Sequence, residues 1–400
     1  MTTPDLALDL DLDLVCLSHL RWNFVFQRPQ HLLTRFAAGR RVFYVEEPVI
    51  REGDPRLAIA SHAGVTVVTP ELPSGLAGSH ARDATLRHLL DDFLARHKVG
   101  RFIAWYYTPM ALAFTAHLAP DLVVYDCMDE LSAFAQAPPT MRAFEAALLL
   151  RADVVFTGGR SLYEAKRAYH GNVHAMPSSV DVPHFAQARD AAVDPGDQQS
   201  IGRPRLGYAG VIDERMDLPL LEAVADARPE WQFIMLGPVV KIDPATLPRR
   251  PNIHYLGPKR YEELPQYIAF WNVALMPFAR NESTRFISPT KTPEYLAAGK
   301  PVVSTSIRDV VRPYGQRGLV RIADDAAPFV RACTEAMAEN PVARMAAADT
   351  FLKTTSWDRT WSRMCRLMAT AYRRRQSLLR ASQAATVLGA SRAATRHVSA

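Results

Sequence analysis

The feature that most constrains the fold is a regular alternation of short apolar runs with amphipathic stretches, which stops once and then restarts. Apolar runs such as residues 122–125 are followed by helical patterns such as residues 141–151. The alternation ends near residue 186 and resumes at residues 205–209. Strands that alternate with helices predict parallel sheets built from crossover units, so the sequence predicts two α/β halves.

The length of the chain supports the same division. A single hydrophobic core rarely grows beyond about 250–300 residues, and this chain has 400 residues. We predict a first Rossmann-like domain over 1–186, a linker over 187–204 and a second Rossmann-like domain over 205–355. We expect a helix over 356–382, and then a basic tail over 383–400 that is disordered.

Composition limits the classes of partner. The formal charge of +6 is mild, and a mild excess does not by itself indicate nucleic acid, so no nucleic-acid partner is expected. The first residues lack the basic start of a signal peptide, and no apolar run reaches the ~18–20 residues of a membrane span. We therefore expect a cytoplasmic protein. The basic tail suggests contact with the inner face of the membrane, and the alternative is a solvated tail without a partner.

The side chains that commonly bind metals are scattered along the chain. The cysteines lie far apart, at Cys16, Cys127, Cys333 and Cys365. They form no C-x-x-C pair, so we expect neither a disulfide framework nor a thiolate zinc site. No group of His, Asp and Glu has the spacing of metal ligands, and the sequence therefore predicts no metal site.

The segment from Ser288 to Pro301 carries the sharpest chemical signal. Ser288 can cap a helix that begins at Pro289, which places Lys291 in its first turn. A lysine there opposes the helix dipole at a cost of about 0.3–1 kcal/mol, and a bound anion would remove that cost. Glu294 lies on the same helix face, where its carboxylate can accept hydrogen bonds from a ribose diol.

The same segment has a second interpretation without a ligand. A well-capped amphipathic helix with a surface pair of Lys291 and Glu294 would show the same pattern. Pro293 also fits the helix better if the helix starts later, with Thr292 as its cap. The residues alone leave these alternatives open.

The segment resembles the donor-binding helix and strand of GT-B glycosyltransferases, in the clan that includes glycosyltransferase family 4. Those proteins typically carry a glutamate followed by Ala-x-Gly-x-Pro-Val-Val. The matching residues here are Glu294, Ala297, Ala298, Gly299, Pro301, Val302 and Val303. Further matches in the family's order are residues 177–185, Tyr208-Ala-Gly210, Leu256-Gly257, Glu263-Leu264-Pro265 with Tyr267, and Ser356-Trp357.

The resemblance implies a GT-B fold, in which two Rossmann-like domains face a cleft and a C-terminal helix crosses back to the N-terminal domain. The N-terminal domain would take the acceptor and the C-terminal domain a nucleotide sugar, with a UDP-sugar favoured and no further cofactor. Lys291 and Arg215 would bind the diphosphate, although Arg215 also fits a solvated loop residue. The donor-binding set is Gly210, Arg215, Gly257, Tyr261, Ser288, Lys291, Thr292 and Glu294.

The first half resembles glycosyltransferases of teichuronic-acid and exopolysaccharide assembly. The residues that carry this resemblance are Trp22, Arg28-Pro-Gln-His31-Leu, Val42-Phe-Tyr-Val45-Glu46, Tyr125-Asp126-Cys-Met-Asp129 and Phe134. It implies transfer of a sugar to a glycan or a lipid-linked acceptor during envelope or exopolysaccharide biosynthesis.

The sequence departs from family 4 at one position that matters for the reaction. That family has a pair of glutamates in the pattern Glu-x7-Glu, and eight residues before Glu294 stands Phe286 instead of an acid. Glu282 is near but out of register. The departure leaves retaining and inverting chemistry both open.

Two residues are candidates for acid–base chemistry in the first domain. Asp129 follows a predicted strand and could deprotonate the acceptor hydroxyl, and the alternative is a helix-capping turn. His31 could act as a base or bind the sugar, and the alternative is a structural histidine. Arg28 and Asp126 are predicted to contact the acceptor, because both follow predicted strands that end at the cleft. The charge of Arg28 suits an anionic acceptor or a phosphate.

Two further functions fit a GT-B chain. One is a sugar-nucleotide epimerase, which needs several acids around one sugar. The other is a GT-B-like binding protein without catalysis, which the missing acid at Phe286 supports. The donor motif and the match at residues 177–185 favour the glycosyltransferase.

Overall fold

The computed structural model describes residues 12–76 and 80–397, with side chains described as far as residue 382. The first eleven residues and residues 398–400 of the predicted tail lie outside the described residues. The chain forms two separate sheets of mainly parallel strands covered by helices, and this confirms the predicted α/β fold class. No helix of the described part is both long and apolar enough to span a membrane.

The first sheet has nine strands. They are β1 (Asp13–Leu17), β2 (Val42–Val45), β3 (Val49–Ile50), β4 (Arg56–His62), β5 (Val65–Leu72), β6 (Phe102–Tyr106), β7 (Leu122–Cys127), β8 (Val154–Thr157) and β9 (Val173–Ala175). Their order is β3-β5-β2-β1-β6-β7-β8-β9, and β4 pairs antiparallel with β5 outside this order. The remaining pairs are parallel, which requires a crossover between successive strands.

Helices cover both faces of this sheet. They are α1 (Arg28–Ala37), α2 (His80–Arg96), α3 (Leu112–Thr115), α4 (Met141–Arg151) and α5 (Arg160–Lys166). The central strand β1 shows why its sequence is continuously apolar. Leu14 and Cys16 belong to the core on one face, and Val15 and Leu17 belong to the core on the other. A strand that is buried on both faces cannot alternate apolar and polar residues.

The second sheet has six parallel strands in the order β12-β11-β10-β13-β14-β15. They are β10 (Arg205–Ala209), β11 (Gln232–Leu236), β12 (Ile253–Gly257), β13 (Val273–Met276), β14 (Val302–Ser304) and β15 (Arg321–Ile322). The accompanying helices are α6 (Val182–Ala186), α7 (Leu218–Ala227), α8 (Leu264–Ala269), α9 (Lys291–Ala297), α10 (Arg308–Val311), α11 (Ala326–Ala338) and α12 (Pro341–Leu352).

The chain enters the second domain earlier than the predicted boundary at residue 186. Val180 and Phe185 are buried in the core of the second domain. The segment predicted as a linker also packs there, because Gln198 is fully buried and accepts a hydrogen bond from the Trp271 indole at 2.9 Å. A Pro- and Gly-rich composition indicated a linker, but buried side-chain hydrogen bonds hold this segment in place.

The last helix returns to the first domain. Helix α13 (Trp357–His397) buries Trp357, Met364 and Met368 in the core that also contains Leu14 and Leu33. The prediction ended this helix at Ser382 and placed a disordered tail beyond it, whereas the helix is described as far as residue 397. The added stretch is rich in alanine and contains no proline, which favours helix continuation.

An aspartate of the second domain caps a helix of the first. Asp309 is almost fully buried, and its carboxylate accepts hydrogen bonds from the backbone N–H groups of Arg160 at 2.7 Å and Ser161 at 3.0 Å. These N–H groups belong to the first turn of helix α5, where backbone N–H groups have no partner within the helix. The Ser178 hydroxyl adds a hydrogen bond to the Ser288 carbonyl oxygen nearby. The two domains therefore meet through specific polar contacts.

We predict that Met368→Ala lowers the free energy of unfolding by about 2–5 kcal/mol, because it leaves a cavity in the core of the first domain. Leu378→Ala is the matched control, since Leu378 lies on the same helix and is 63% exposed. Urea denaturation followed by circular dichroism measures both values. An equal, small effect of the two substitutions would contradict the packing of α13 against the first domain.

Candidate active site

A cleft of about 720 Å³ lies between the two domains. It is bordered by residues that follow strands of both sheets, including Asp129, Gly210 and Gly237. The carboxyl ends of parallel strands are the usual position for ligands in open α/β sheets. A groove of about 760 Å³ lies between β4 and α2, but it is on the outside of the first domain and no residue predicted for the site borders it. We therefore place the candidate site in the cleft.

A glycine after β10 lets a lysine reach the floor of the cleft. Gly210 has φ +154°, and a Cβ atom built there would lie 2.0 Å from Cε and 2.3 Å from Nζ of Lys291. A Cβ atom at Gly237 would lie 1.9 Å from the Gly210 carbonyl oxygen. Both positions therefore require glycine for the close approach of neighbouring groups. The Lys291 ammonium lies 5.4 Å from the centre of the Tyr208 ring.

Two cations share this part of the cleft. Arg215 donates hydrogen bonds to Asp213, with 2.7 Å between Nη2 and Oδ2, and it borders the cleft. Burial lowers the pKa of Lys291, and the charge of Arg215 lowers it further while Glu294 opposes the shift. Positive charges that disfavour one another in a partly enclosed cleft form a site that an anion would stabilise.

Glu294 borders the same cleft, one helical turn beyond Lys291. Burial raises its pKa to about 7, against the opposing effects of Lys291 and a hydrogen bond with Thr290. Its carboxyl group therefore changes charge near neutral pH. The predicted pair of Lys291 and Glu294 is brought together at the cleft, so it is not an exposed surface pair.

The start of the donor helix differs from the prediction. Helix α9 begins at Lys291 and follows Thr290, so Ser288 is not its cap, although Ser288 still borders the cleft. Thr292 is fully buried and its hydroxyl faces the Met276 sulfur at 3.4 Å. Thr292 thus faces the core instead of a donor. The later start places Pro293 in the first turn, where it costs no internal hydrogen bond.

Tyr261 lies at the edge of the cleft, and Gly257 supports the cleft from the end of β12. The Tyr261 ring borders the cleft and stacks between Phe26 at 4.4 Å and His184 at 4.1 Å, so it joins the two domains. Gly257 does not border the cleft. Its carbonyl oxygen accepts a hydrogen bond from the Gly237 N–H at 2.9 Å, and it therefore acts by holding Gly237.

Arg28 and Asp126 form a buried ion pair on the first-domain side. Arg28 donates to both carboxylate oxygens of Asp126, at 2.9 Å from Nε and 2.8 Å from Nη2. It also donates to the Met176 carbonyl oxygen at 2.8 Å. Arg28 borders the cleft, but Asp126 is fully buried behind it. The structure thus makes Asp126 the counter-ion of Arg28, and the prediction that Asp126 contacts an acceptor is wrong for this arrangement.

His31 lies outside the cleft, contrary to its predicted catalytic role. Its ring stacks on Trp357 of helix α13, with the ring centres 4.6 Å apart and the planes at 12°. Burial lowers its pKa to about 3, with smaller contributions from Arg35 and His184. The imidazole is therefore neutral and serves to pack the returning helix.

Asp129 is the predicted acid–base residue that does border the cleft. Its side chain makes no hydrogen bond and no ion pair with the described residues. Burial raises its pKa, while the charges of Arg215, Lys241 and Arg28 oppose that rise. A carboxylate without a partner, held among cations in a cleft, is suited to accept a proton.

Comparisons with known proteins agree with this geometry. Residues 203–339 match the family described as "Glycosyl transferases group 1". The chain is 26% identical over 287 residues to TuaH of Bacillus subtilis (strain 168), a glycosyltransferase named for teichuronic acid biosynthesis, covering 64% of this chain and 70% of that protein. The chain is a glycosyltransferase of the GT-B fold.

Solved structures support the fold of this glycosyltransferase. Sucrose-phosphate synthase from Thermosynechococcus elongatus superposes with a TM-score of 0.64 at 15% identity, over 94% of this chain and 100% of that one. An α,α-trehalose-phosphate synthase (UDP-forming) from Burkholderia vietnamiensis gives 0.66 at 14% identity, over 90% and 99%. WaaG, a glycosyltransferase involved in lipopolysaccharide biosynthesis, gives 0.60 at 15% identity, over 89% and 99%.

Phe286, which stands where the family has its first glutamate, has a structural role in this glycosyltransferase. Phe286 packs against the apolar core of the first domain. Glu282 is exposed and pairs with Arg285 at 3.4 Å. Neither residue borders the cleft, so Glu282 does not replace the absent glutamate there.

Sequence reasoning missed several groups that shape the cleft. Gly237 is one of them, and a glycine followed by proline at the carboxyl end of a strand is a usable signal for it. Phe26 and Lys241 carried no signal, because their partners lie in the other domain. No group of three or more His, Cys, Asp or Glu within the described ranges could hold a metal ion. The absence of a metal in the reaction stays a prediction.

We predict that Gly210→Ala weakens the binding of UDP about tenfold or more, because the new methyl group displaces the Lys291 ammonium from the floor of the cleft. The end of a flexible side chain can move, so the fold should survive. Isothermal titration calorimetry measures the affinity, and thermal unfolding checks the fold. Gly196→Ala is the control, since nothing lies within 4 Å of its added carbon. Unchanged affinity in Gly210→Ala would contradict the role given to Lys291.

Proposed function

We propose that this glycosyltransferase moves a sugar from a nucleoside diphosphate sugar to a hydroxyl group of a glycan or lipid-linked acceptor, in envelope or exopolysaccharide biosynthesis. The observation that carries the proposal is the convergence of Lys291, Arg215 and Glu294 on the glycine-lined floor of the cleft, opposite the free carboxylate of Asp129. The two cations would bind the diphosphate, the Glu294 carboxylate would bind the ribose, and Asp129 would act as the base.

The two cations would bind the donor diphosphate. Lys291 and Arg215 would neutralise the charge that develops on the leaving diphosphate as the bond to the sugar breaks. They supply the positive charge that a metal ion supplies in other transferases, so we propose that the transfer needs no metal. Gly210 leaves room for the Lys291 ammonium at the floor of the cleft, and Gly237 leaves room for the Gly210 carbonyl oxygen.

The nucleoside would lie beyond the diphosphate. Glu294 would accept hydrogen bonds from the ribose diol, and Tyr261 would lie near the base at the edge of the cleft. We favour uridine as the base. Two solved structures with the same fold support this choice, since one is described as UDP-forming and another as bound with UDP-2-fluoro glucose.

Asp129 would take the proton of the acceptor hydroxyl as it attacks the sugar. The name of TuaH supports an acceptor in envelope polysaccharide assembly, and that of WaaG refers to lipopolysaccharide biosynthesis. We further propose that the enzyme works in the cytoplasm, at the inner face of the membrane. Sedimentation with anionic lipid vesicles tests this part, and protein that stays in the supernatant would contradict it.

We predict that UDP raises the melting temperature more than GDP, ADP or TDP does, because a ligand that binds only the folded state stabilises it by about 2.7 kcal/mol at a hundredfold excess over Kd. UDP-glucose, which has no phosphate group that titrates near pH 7, tests Glu294 directly. Its affinity should fall as the pH falls below about 7, because Glu294 then becomes protonated and loses acceptor capacity.

Glu294→Gln should weaken UDP-glucose binding and remove this pH dependence. Glu335→Gln is the control, since Glu335 lies on the outer helix α11 and pairs with Arg321. A larger rise in melting temperature with GDP, ADP or TDP than with UDP would contradict the choice of uridine. Equal affinity of the Glu294→Gln variant and the wild type at every pH would contradict the ribose assignment.

We predict that Asp129→Asn lowers the release of UDP from a UDP-sugar about 10²–10⁴-fold, because the amide cannot accept the proton. Water serves as the acceptor in this assay, which needs no knowledge of the natural one. UDP affinity should stay unchanged, since Asp129 lies opposite the donor groups. Release should continue in EDTA. Activity retained by Asp129→Asn would refute its role as base, and loss of activity in EDTA would refute the metal-independent reaction.

A further inference from the structure

The loop after β11 holds a lysine in an unusual backbone conformation. Lys241 has φ +62°, which places it in the left-handed region that residues other than glycine rarely adopt. Ala63 and Lys98 are the other such residues in the described part of the chain. A conformation of this kind persists only where its surroundings hold it, and it often occurs at functional sites.

Backbone hydrogen bonds fix this loop against the loop after β10. The Ile212 N–H donates to the Pro238 carbonyl oxygen at 3.0 Å, and the Val240 N–H donates to the Ile212 carbonyl oxygen at 3.1 Å. Ile212 and Val239 form an isolated parallel bridge, and the Ile212 side chain is buried. The position of Lys241 is therefore set by the same loop that carries Arg215.

The Lys241 side chain reaches the first domain. Its ammonium lies 5.0 Å from the centre of the Phe134 ring, and the guanidinium carbon of Arg215 lies 5.8 Å from the same ring. The neighbouring Ala135 N–H donates to the Glu214 carboxylate at 3.4 Å. Cation–π contacts of this kind fasten the segment of Asp129 and Phe134 to both loops of the second domain.

Lys241 differs in its ion pairing from the other cations near Asp129. Four charged groups face its carboxylate, namely Arg215 and Asp213 from the loop after β10, Lys241 from the loop after β11 and Arg28 from α1. Arg215 is held by Asp213, and Arg28 is held by Asp126. Lys241 has no ion pair and no hydrogen bond with any residue that the structure describes. Its charge also opposes the rise in the pKa of Glu47 and contributes to the lowered pKa of His19. Among the three cations that act on Asp129, Lys241 is therefore the one that forms no ion pair with a carboxylate in the described part of the chain.

We propose that Lys241 is a positioning residue for the transfer reaction: it fastens the segment that carries Asp129 through Phe134, and it supplies a positive charge that faces the Asp129 carboxylate. The inference rests on the proposed role of Asp129 as the base. Because Lys241 belongs to the donor domain and Asp129 to the acceptor domain, the base is completed only when the domains face each other as they do here. Lys241 itself does not touch the reacting atoms.

The pH dependence of UDP release tests this inference in the full-length protein. Lys241→Gln should lower kcat about three- to tenfold and move the acid limb of the kcat profile to higher pH by roughly 0.5–1 unit. The affinity for UDP should not change. The sign follows from the charge, since removing a cation raises the pKa of a nearby carboxyl group, and the base is then lost at a higher pH. Lys241→Arg should restore both kcat and the profile.

Lys98→Gln is the matched control, because Lys98 is also an exposed lysine with positive φ, at +52°, but it lies between α2 and β6. Its kinetics should match the wild type. A fall in activity with an unmoved acid limb, or a loss confined to UDP affinity, would overturn the inference about Lys241. Asp129→Asn tests the base separately, because activity in that variant refutes the proposed base whatever Lys241→Gln shows.

Discussion

The buried ion pair of Arg28 and Asp126 is the contact on which the cleft depends. Each charge would be strongly destabilised without the other, and removing one partner of such a pair typically costs about 3–5 kcal/mol. The pair joins the start of α1 to the end of β7, and Arg28 also holds the Met176 carbonyl oxygen just before the chain leaves the first domain. One guanidinium thus fixes the wall of the cleft and the point where the domains connect.

This pairing also explains how charge is distributed between the two walls. Arg28 on the first wall is neutralised by its ion pair with the buried Asp126. The carboxylate that this wall presents to the cleft is that of Asp129. The opposite wall carries Lys291 and Arg215, which raise the local positive potential. An anion is therefore attracted to the second domain, and a neutral hydroxyl group can approach the first. Such a division suits a reaction in which the leaving group is charged and the attacking group is not.

Periodicity and length were sufficient to predict two parallel α/β domains, because strands buried on both faces must be apolar throughout. The family resemblance placed Lys291, Glu294 and Arg215 correctly at the cleft. Failures arose where partners are distant in sequence. His31 stacks on a tryptophan more than three hundred residues away, and Asp126 differs from Asp129 only because the former still belongs to strand β7. No local sequence pattern distinguishes the buried structural residues His31 and Asp126 from Asp129, which borders the cleft.

The return of α13 to the first domain has a consequence for dissecting the molecule. The N-terminal domain contains the buried face of α13 from the end of the chain, while residues 180–188 contribute to the core of the C-terminal domain. A cut before Val180 keeps the whole core of the second domain in one fragment, but it separates α13 from the first domain. Separate study of the first domain therefore requires co-expression of α13 as a complementary piece or a circular permutation that joins α13 to that domain.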